Sequence, residues 1–297
     1  MQEQGSTQQA PLVPSDRVDE LAQLMKDASA TTLYKLSIDE GRVPALTDTK
    51  LGGIPYWPTD QPYPTTHKGG KLMLLAQLNL GDFAGCDRLP TGGLLQFYVD
   101  SEDDCSGMDF DDGTNQDGFR VIWHREVDAS VTEDVVRAME IPTSFDPWDD
   151  YLGNPLRGCY ALDVTEAVGC TNPSSYDFDE VFFACCAKLL GENFQAGRDD
   201  WYDCLARPDS DRIFELFNQD GPLHQVFGRP FFTQYDPRLY NTGLRDLDTL
   251  LLQVDSDGKG GSDRMLWGDV GIGGFFINGE ALRRGDFSRV LFNWDCY

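Results

Sequence analysis

The sequence predicts an α+β fold of two internally duplicated halves, with mainly antiparallel sheets packed about a pseudo-two-fold axis. Two observations carry this prediction. Short apolar runs typical of strands alternate with amphipathic stretches typical of helices along the 297 residues. In addition, three motifs recur in the same order at nearly constant spacing, which is the signature of duplication.

The repeated motifs are a Gly-x-Pro turn and two strand-like runs. The matching pairs are 53–55 with 228–230, 73–79 with 249–255, and 93–100 with 271–278. This alignment makes Gln77 equivalent to Gln253. Because ligand sites favour clefts between structural units, we expect a groove between the halves to be the binding site.

The first half is predicted to span residues 15–150, after a disordered polar tail at 1–14. A helix beginning at Asp16 would bury one apolar face. The stretch 51–64 contains four prolines and two glycines, so it must be an ordered loop. The remaining elements are strands at 32–38, 72–80, 94–99 and 119–123, an acidic surface segment at 100–117, and a helix at 132–140.

The second half is predicted to span residues 151–297, after a connector at 145–151. Asp177 and Glu180 form a capping box before a helix, and Gly191 ends it. The other predicted elements are helices at 199–206, 209–217 and 280–284, and strands at 249–254, 273–277 and 289–294.

The composition is strongly acidic, with 24 Lys+Arg against 50 Asp+Glu and a formal charge of −26. Nucleic acids and anionic membranes require a basic surface, so we expect neither as a partner. No stretch approaches the roughly 20 apolar residues of a membrane span. The charge is compatible with a basic protein partner or with solubility alone.

The cysteines and histidines argue against a metal centre. The eight cysteines include no Cys-x-x-Cys pair, and the chain has only 3 histidines. The first residues lack the basic and apolar regions of a secretory signal. We therefore expect a cytoplasmic protein with reduced thiols and no cofactor.

The candidate ligand-binding residues are polar and aromatic side chains at strand ends and in the adjoining loops. They are Trp57, Gln77, Asn79, His224, Gln234, Gln253, Asp255, Asp257, Trp267 and Asp269. The two amides, Gln77 and Gln253, could bind a peptide, an amide or a sugar, or could satisfy backbone groups. The two tryptophans could be interface anchors or could hold their loops.

His224 and the carboxylates suggest two further kinds of site. His224 could be a general base or could bond backbone in a tight corner. Residues 255–260 begin like a calcium loop, but Lys259 and Leu266 stand where ligands are required, which excludes an EF-hand. A looser cation site at Asp255, Asp257 and Asp269 remains open, as does an Asx-turn.

Several motifs together resemble the YwqG-like family, bacterial proteins that carry a domain of unknown function. The motifs that carry the resemblance are Gly52-Gly53-x-Pro55, Leu75-Ala76-Gln77-Leu78-Asn79-Leu80, His224-Gln225-x-x-Gly228-x-Pro230, Leu251-Leu252-Gln253-Val254-Asp255 and Trp267-Gly268-Asp269-x-Gly271. The resemblance covers roughly residues 30 to 297. It implies a cytoplasmic bacterial α+β protein with an internal duplication, and some relatives belong with toxin-immunity systems. It implies no reaction.

We therefore expect a non-enzymatic binding protein that engages a small polar ligand or a basic protein partner, such as a toxin, in the groove. One alternative is a hydrolase-like enzyme that uses His224 with Asp255 or Asp269. The other is a cation-dependent binding module.

Overall fold

The computed structural model describes residues 11–144, 154–194, 200–218, 223–260 and 262–297. Most of the predicted tail, the predicted connector at 145–151 and the boundary between residues 150 and 151 lie outside these ranges. The strands are β1 (Thr31–Asp39), β2 (Lys50–Leu51), β3 (Met73–Asn79), β4 (Leu94–Val99), β5 (Phe119–His124), β6 (Tyr160–Gly169), β7 (Gln225–Phe227), β8 (Thr249–Asp255), β9 (Asp257–Lys259), β10 (Ser262–Met265), β11 (Ile272–Ile277) and β12 (Val290–Asp295). The helices are α1 (Val18–Ser29), α2 (Glu133–Arg137), α3 (Phe178–Leu190), α4 (Arg207–Phe217), α5 (Pro237–Tyr240) and α6 (Gly279–Arg284).

Ten of these strands form one antiparallel sheet in the order β12-β11-β8-β7-β1-β6-β2-β3-β4-β5. The prediction of two duplicated halves with sheets packed about a pseudo-two-fold axis is wrong. The long ladder between β1 and β6, from Thr31 opposite Gly169 to Asp39 opposite Ala161, lies at the middle of this order. Hydrogen bonding therefore continues from one end of the sheet to the other without a break.

The sheet curls until its two ends face each other. Phe97 of β4 packs against Phe275 of β11 with ring centroids 5.1 Å apart, and Phe119 of β5 lies 5.3 Å from Phe292 of β12. These strands stand near opposite ends of the strand order. The side chains inside the curl form the largest apolar cluster of the described residues, which is the main core.

The acidic segment 100–117 covers the outer edge of β12. The Phe292 backbone N–H donates to the Gly113 carbonyl at 2.9 Å, and the Trp294 indole N–H donates to the Cys105 carbonyl at 2.7 Å. An uncovered edge strand is a template for pairing with another chain, so this segment protects the sheet. The segment is therefore a packed element as well as the predicted surface loop.

A second apolar cluster joins α1, α3 and α4 beside the sheet. The predicted helix after Asp16 is confirmed, since Val18, Leu21 and Met25 are fully buried on one face of α1. The helix predicted at 199–206 is wrong over its described residues 200–206, where residues 202–204 form only a 3-10 turn. Strand β6 was not predicted. Most of its residues are not buried, so its sequence lacks the apolar run that marks the other long strands.

Candidate functional site

Gln77 is fully buried, and both ends of its amide are used within the protein. Its Oε1 accepts the Tyr56 backbone N–H at 3.1 Å and the Gln96 side-chain N–H at 2.8 Å. Its Nε2 donates to the carbonyls of Leu46 and Asp48 at 2.8 and 2.9 Å. The amide therefore joins the loops around 46–56 to β3 and has no capacity left for a ligand.

Gln253 has the same type of role on β8. Its Oε1 accepts the Phe231 N–H at 2.8 Å, and its Nε2 donates to the Leu223 carbonyl at 2.9 Å. Four strands separate β3 from β8 in the sheet order, so Gln77 and Gln253 do not face each other across a groove. Each amide satisfies backbone groups of nearby loops.

Four other candidate residues also bond to backbone. The indole N–H of Trp57 donates to Gln61, and that of Trp267 donates to Val254 across a fully buried contact at 2.9 Å. The Asn79 side chain caps the turn at Gly81, and the exposed Gln234 side chain donates to the Cys296 carbonyl. These contacts hold loops against strand ends.

His224, Asp255 and Asp257 do converge, but without the geometry of a base and nucleophile. His224 Nδ1 accepts the backbone N–H of Asp255 at 3.0 Å, and its Nε2 lies 3.6 Å from Asp257 Oδ2. The Asp255 carboxylate accepts the Leu223 N–H at 2.8 Å, and burial raises the pKa of this carboxyl. His224 is buried, with 5% of its surface exposed.

Asp257 belongs to an ion-pair chain that extends through Arg264 to Glu40 at the surface. Its Oδ1 lies 2.7 Å from Arg264, whose other amino group lies 2.6 Å from Glu40. Burial favours the neutral carboxyl of Asp257, but His224 and Arg264 outweigh this and lower its pKa. Asp269 is exposed, and among the described residues it takes no part in these ion pairs. The predicted carboxylate cluster therefore does not assemble.

The outer end of this ion-pair chain borders a cavity of about 480 Å³, which we call the central cavity. It lies at the end of the β1–β6 ladder where β1 finishes and β6 begins. Its lining residues are Asp39, Glu40, Arg42, Val43, Pro44, Lys50, Ile54, Glu133, Arg137, Cys159, Tyr160 and Arg264. None of the ten sequence-predicted candidates is among them.

Lys50 is the unusual residue of the central cavity, because a lysine is rarely fully buried. It is 2% exposed, and its Nζ donates to the carbonyls of Ala45, Leu46 and Ile54 at 3.1, 3.1 and 2.7 Å. Among the described residues no carboxylate lies within 4.0 Å of it. Burial lowers the pKa of Lys50 to about 8, against weaker opposing effects of Cys159, Glu133 and Asp48.

Cys159 lies beside Lys50 at the start of β6. Burial raises the pKa of the Cys159 thiol, and the Lys50 charge only partly opposes this. Burial also raises the pKa of the Tyr160 hydroxyl. Both groups are therefore protonated near neutral pH, and nucleophilic attack requires the thiolate. The cavity offers an apolar wall and fixed charges, which suit binding.

The sequence model of one protein family, described as a domain of unknown function (DUF1963), matches residues 49–296. The chain belongs to the DUF1963 family. A comparison with curated proteins finds no match. The matched region of this DUF1963 protein includes Lys50, Ile54, Cys159 and Arg264 of the central cavity. Strand β1 precedes the matched region, although it lies in the middle of the sheet.

Within the described ranges of this DUF1963 protein, one group brings three metal-type ligand atoms within 4.8 Å of one another. It consists of Asp103, Asp104 and Cys105 on the acidic segment. Burial and then Asp104 raise the pKa of Cys105 to about 11, so the thiol is protonated and a poor ligand. None of the helices in the described ranges has the length and apolar character needed to cross a membrane.

Proposed function

We propose that this DUF1963 protein is a non-enzymatic binding protein that holds a small ligand in the central cavity. The supporting observation is the cavity itself. Its volume of about 480 Å³ lies within the range of roughly 300–1,000 Å³ typical of small-molecule sites. Ile54, Val43 and Pro44 supply apolar surface, and the charged side chains around them can orient a polar group.

Binding is favoured over catalysis by the state of the reactive groups. The three N–H bonds of the Lys50 ammonium are directed at carbonyls, which makes it a poor amine nucleophile. Cys159 carries a protonated thiol, since burial raises its pKa. His224 is buried and is not among the residues that line the cavity.

The test is an equilibrium titration with two fluorescent probes of nearly equal shape. They are N-phenyl-1-naphthylamine, which is neutral, and 8-anilino-1-naphthalenesulfonate, which is anionic. We expect one-to-one binding that is lost in Val43→Trp, because Val43 is 92% exposed and lines the cavity. Val168→Trp is the matched control, since Val168 is 75% exposed at the far end of β6. Equal binding by both variants, or no binding of either probe by the wild type, would refute the proposal.

A second candidate function is recognition of a basic protein by the acidic segment 100–117. Eight of its 18 residues are Asp or Glu, and Phe110 is 78% exposed among them. Exposed aromatic rings beside carboxylates suit lysine and arginine side chains. A tagged wild-type chain should retain a basic partner that Phe110→Ser loses and that Tyr297→Ser, at a 77% exposed position, keeps.

Two finer assignments accompany the proposed function. We propose that the protein is one of the YwqG-like bacterial members of DUF1963, which is supported by the motifs at Gln77 and Gln253. We also propose a cytoplasmic location and a toxin-immunity role. The cytoplasmic location is supported by the eight cysteines, none of which forms a disulfide.

A further inference from the structure

We infer that the ligand of the central cavity has an apolar body and one anionic group, and that the anionic group lies beside Lys50. This inference rests on the proposed function, because it names the class of ligand that the same cavity takes. It requires no chemistry on the ligand, only a charge placed near the buried ammonium.

Lys50 is the most deeply buried of the charged residues that line the cavity. The lining includes four cationic residues (Arg42, Lys50, Arg137 and Arg264) and three acidic ones (Asp39, Glu40 and Glu133). Lys50 is 2% exposed, whereas the side chains of Glu40 and Glu133 are 47% and 44% exposed. The most deeply buried charge is therefore a cation, in a chain whose formal charge is −26. The more exposed charges carry both signs, since the side chains of Arg42 and Arg137 are 37% and 53% exposed.

Lys50 also differs from the three arginines in its pairing. Arg42 pairs with Asp163, Arg137 with Glu133, and Arg264 with Glu40 and Asp257. In the part of the chain that the structure describes, Lys50 has carbonyl partners but no carboxylate within 4.0 Å. A buried charge without a counterion is costly, so an anion that enters the cavity relieves this cost.

The groups that face Lys50 come from three elements. Asp48 precedes β2, Glu133 belongs to α2, and Cys159 precedes β6. Burial lowers the pKa of Lys50 to about 8 despite these neighbours. A bound anion stabilises the ammonium and raises that pKa, so binding takes up a proton above pH 8. A neutral ligand only removes more water from the ammonium, and a cationic ligand repels it.

The two naphthalene probes test this inference. At pH 7 the anionic 8-anilino-1-naphthalenesulfonate should bind at least about tenfold more tightly than neutral N-phenyl-1-naphthylamine, because a nearby charge strongly attracts an anion in a partly buried site. For each probe, only the part of the binding that is lost in Val43→Trp is assigned to the central cavity. Lys50→Met should weaken the anionic probe to the level of the neutral one, whereas Lys68→Met, at an exposed lysine, should change neither.

A pH series on the wild-type protein gives an independent result. The affinity of the anionic probe should fall about tenfold between pH 7.5 and 9.5, as Lys50 loses its proton, while that of the neutral probe stays constant. Equal affinities for the two probes, with no pH dependence, would overturn the inference and leave the proposed function standing. If neither probe binds, the proposed function itself fails. If Lys50→Met does not fold, the pH series decides.

Discussion

Replacing Lys50 by Met should change the pH dependence of stability in a defined way. The pKa of Lys50 falls from the ordinary 10.5 to about 8 in the folded chain, because burial disfavours the ammonium. Below pH 8 the side chain is protonated in both states, and the full cost of burying the charge is present. As pH rises from 8 towards 10.5, the unfolded chain binds more protons than the folded one, so this cost disappears.

The magnitude follows from the interval between the two pKa values. At about 1.36 kcal/mol per pH unit, the whole interval corresponds to about 3 kcal/mol, and the part between pH 8 and 9.5 to about 2 kcal/mol. The wild type should therefore gain about 2 kcal/mol of unfolding free energy relative to Lys50→Met over that range. The variant also lacks the three hydrogen bonds from Lys50 to backbone carbonyls, which destabilises it, but this effect is independent of pH.

The assay is urea denaturation of both proteins at closely spaced pH values from 7 to 9.5. Comparing the proteins at each pH removes the effect of all other titrating groups. Lys68→Met is the matched control and should follow the wild type at every pH, because Lys68 is exposed. A wild-type minus Lys50→Met difference that stays constant within about 0.5 kcal/mol would show that Lys50 carries no buried charge, and the reasoning would fail.

Three further substitutions test the fold by urea denaturation. Gln77→Leu should lower the unfolding free energy by about 3 kcal/mol, because it leaves a buried N–H and two partly buried carbonyls without partners. Arg238→Met should cost about 4 kcal/mol, because Asp236 is 0% exposed and loses both of its guanidinium bonds. Gly273→Ala should cost about 2 kcal/mol, because the new Cβ would lie 2.5 Å from the buried Trp267 ring.

Each of these has a control in the same chain. Gln61→Leu removes an exposed amide and should leave the unfolding free energy nearly unchanged. The double variant Asp236→Asn with Arg238→Met should be more stable than Arg238→Met alone, since no unpaired carboxylate is left. Gly41→Ala places its Cβ 3.4 Å from the nearest atom and should be tolerated. If a control lost as much unfolding free energy as its test variant, the contacts assigned to that test residue would be contradicted.

The local elements were predictable because their signals are local. The apolar runs around Gln77 and Gln253 are buried strands, and the face that begins at Val18 is a buried helix face. The acidic composition is likewise read directly from the residues. The loop at 51–64 is defined by its prolines, which cannot join a helix or a central strand. In each case the determining interactions involve residues that are close in the chain.

The architecture and the site depended on contacts between residues distant in the chain. Strand β6 is largely unburied, so nothing in its own sequence showed that it pairs with β1 and makes the sheet continuous. The central cavity combines side chains from residues 39 to 264, and its floor is a lysine, a residue type that is normally exposed. The sequence alone therefore determined those strands and helices that carry a local apolar pattern, such as β3, β8 and α1. Only the tertiary structure decided which strands pair and where a positive charge is buried, because pairing and desolvation depend on neighbours that the local sequence does not specify.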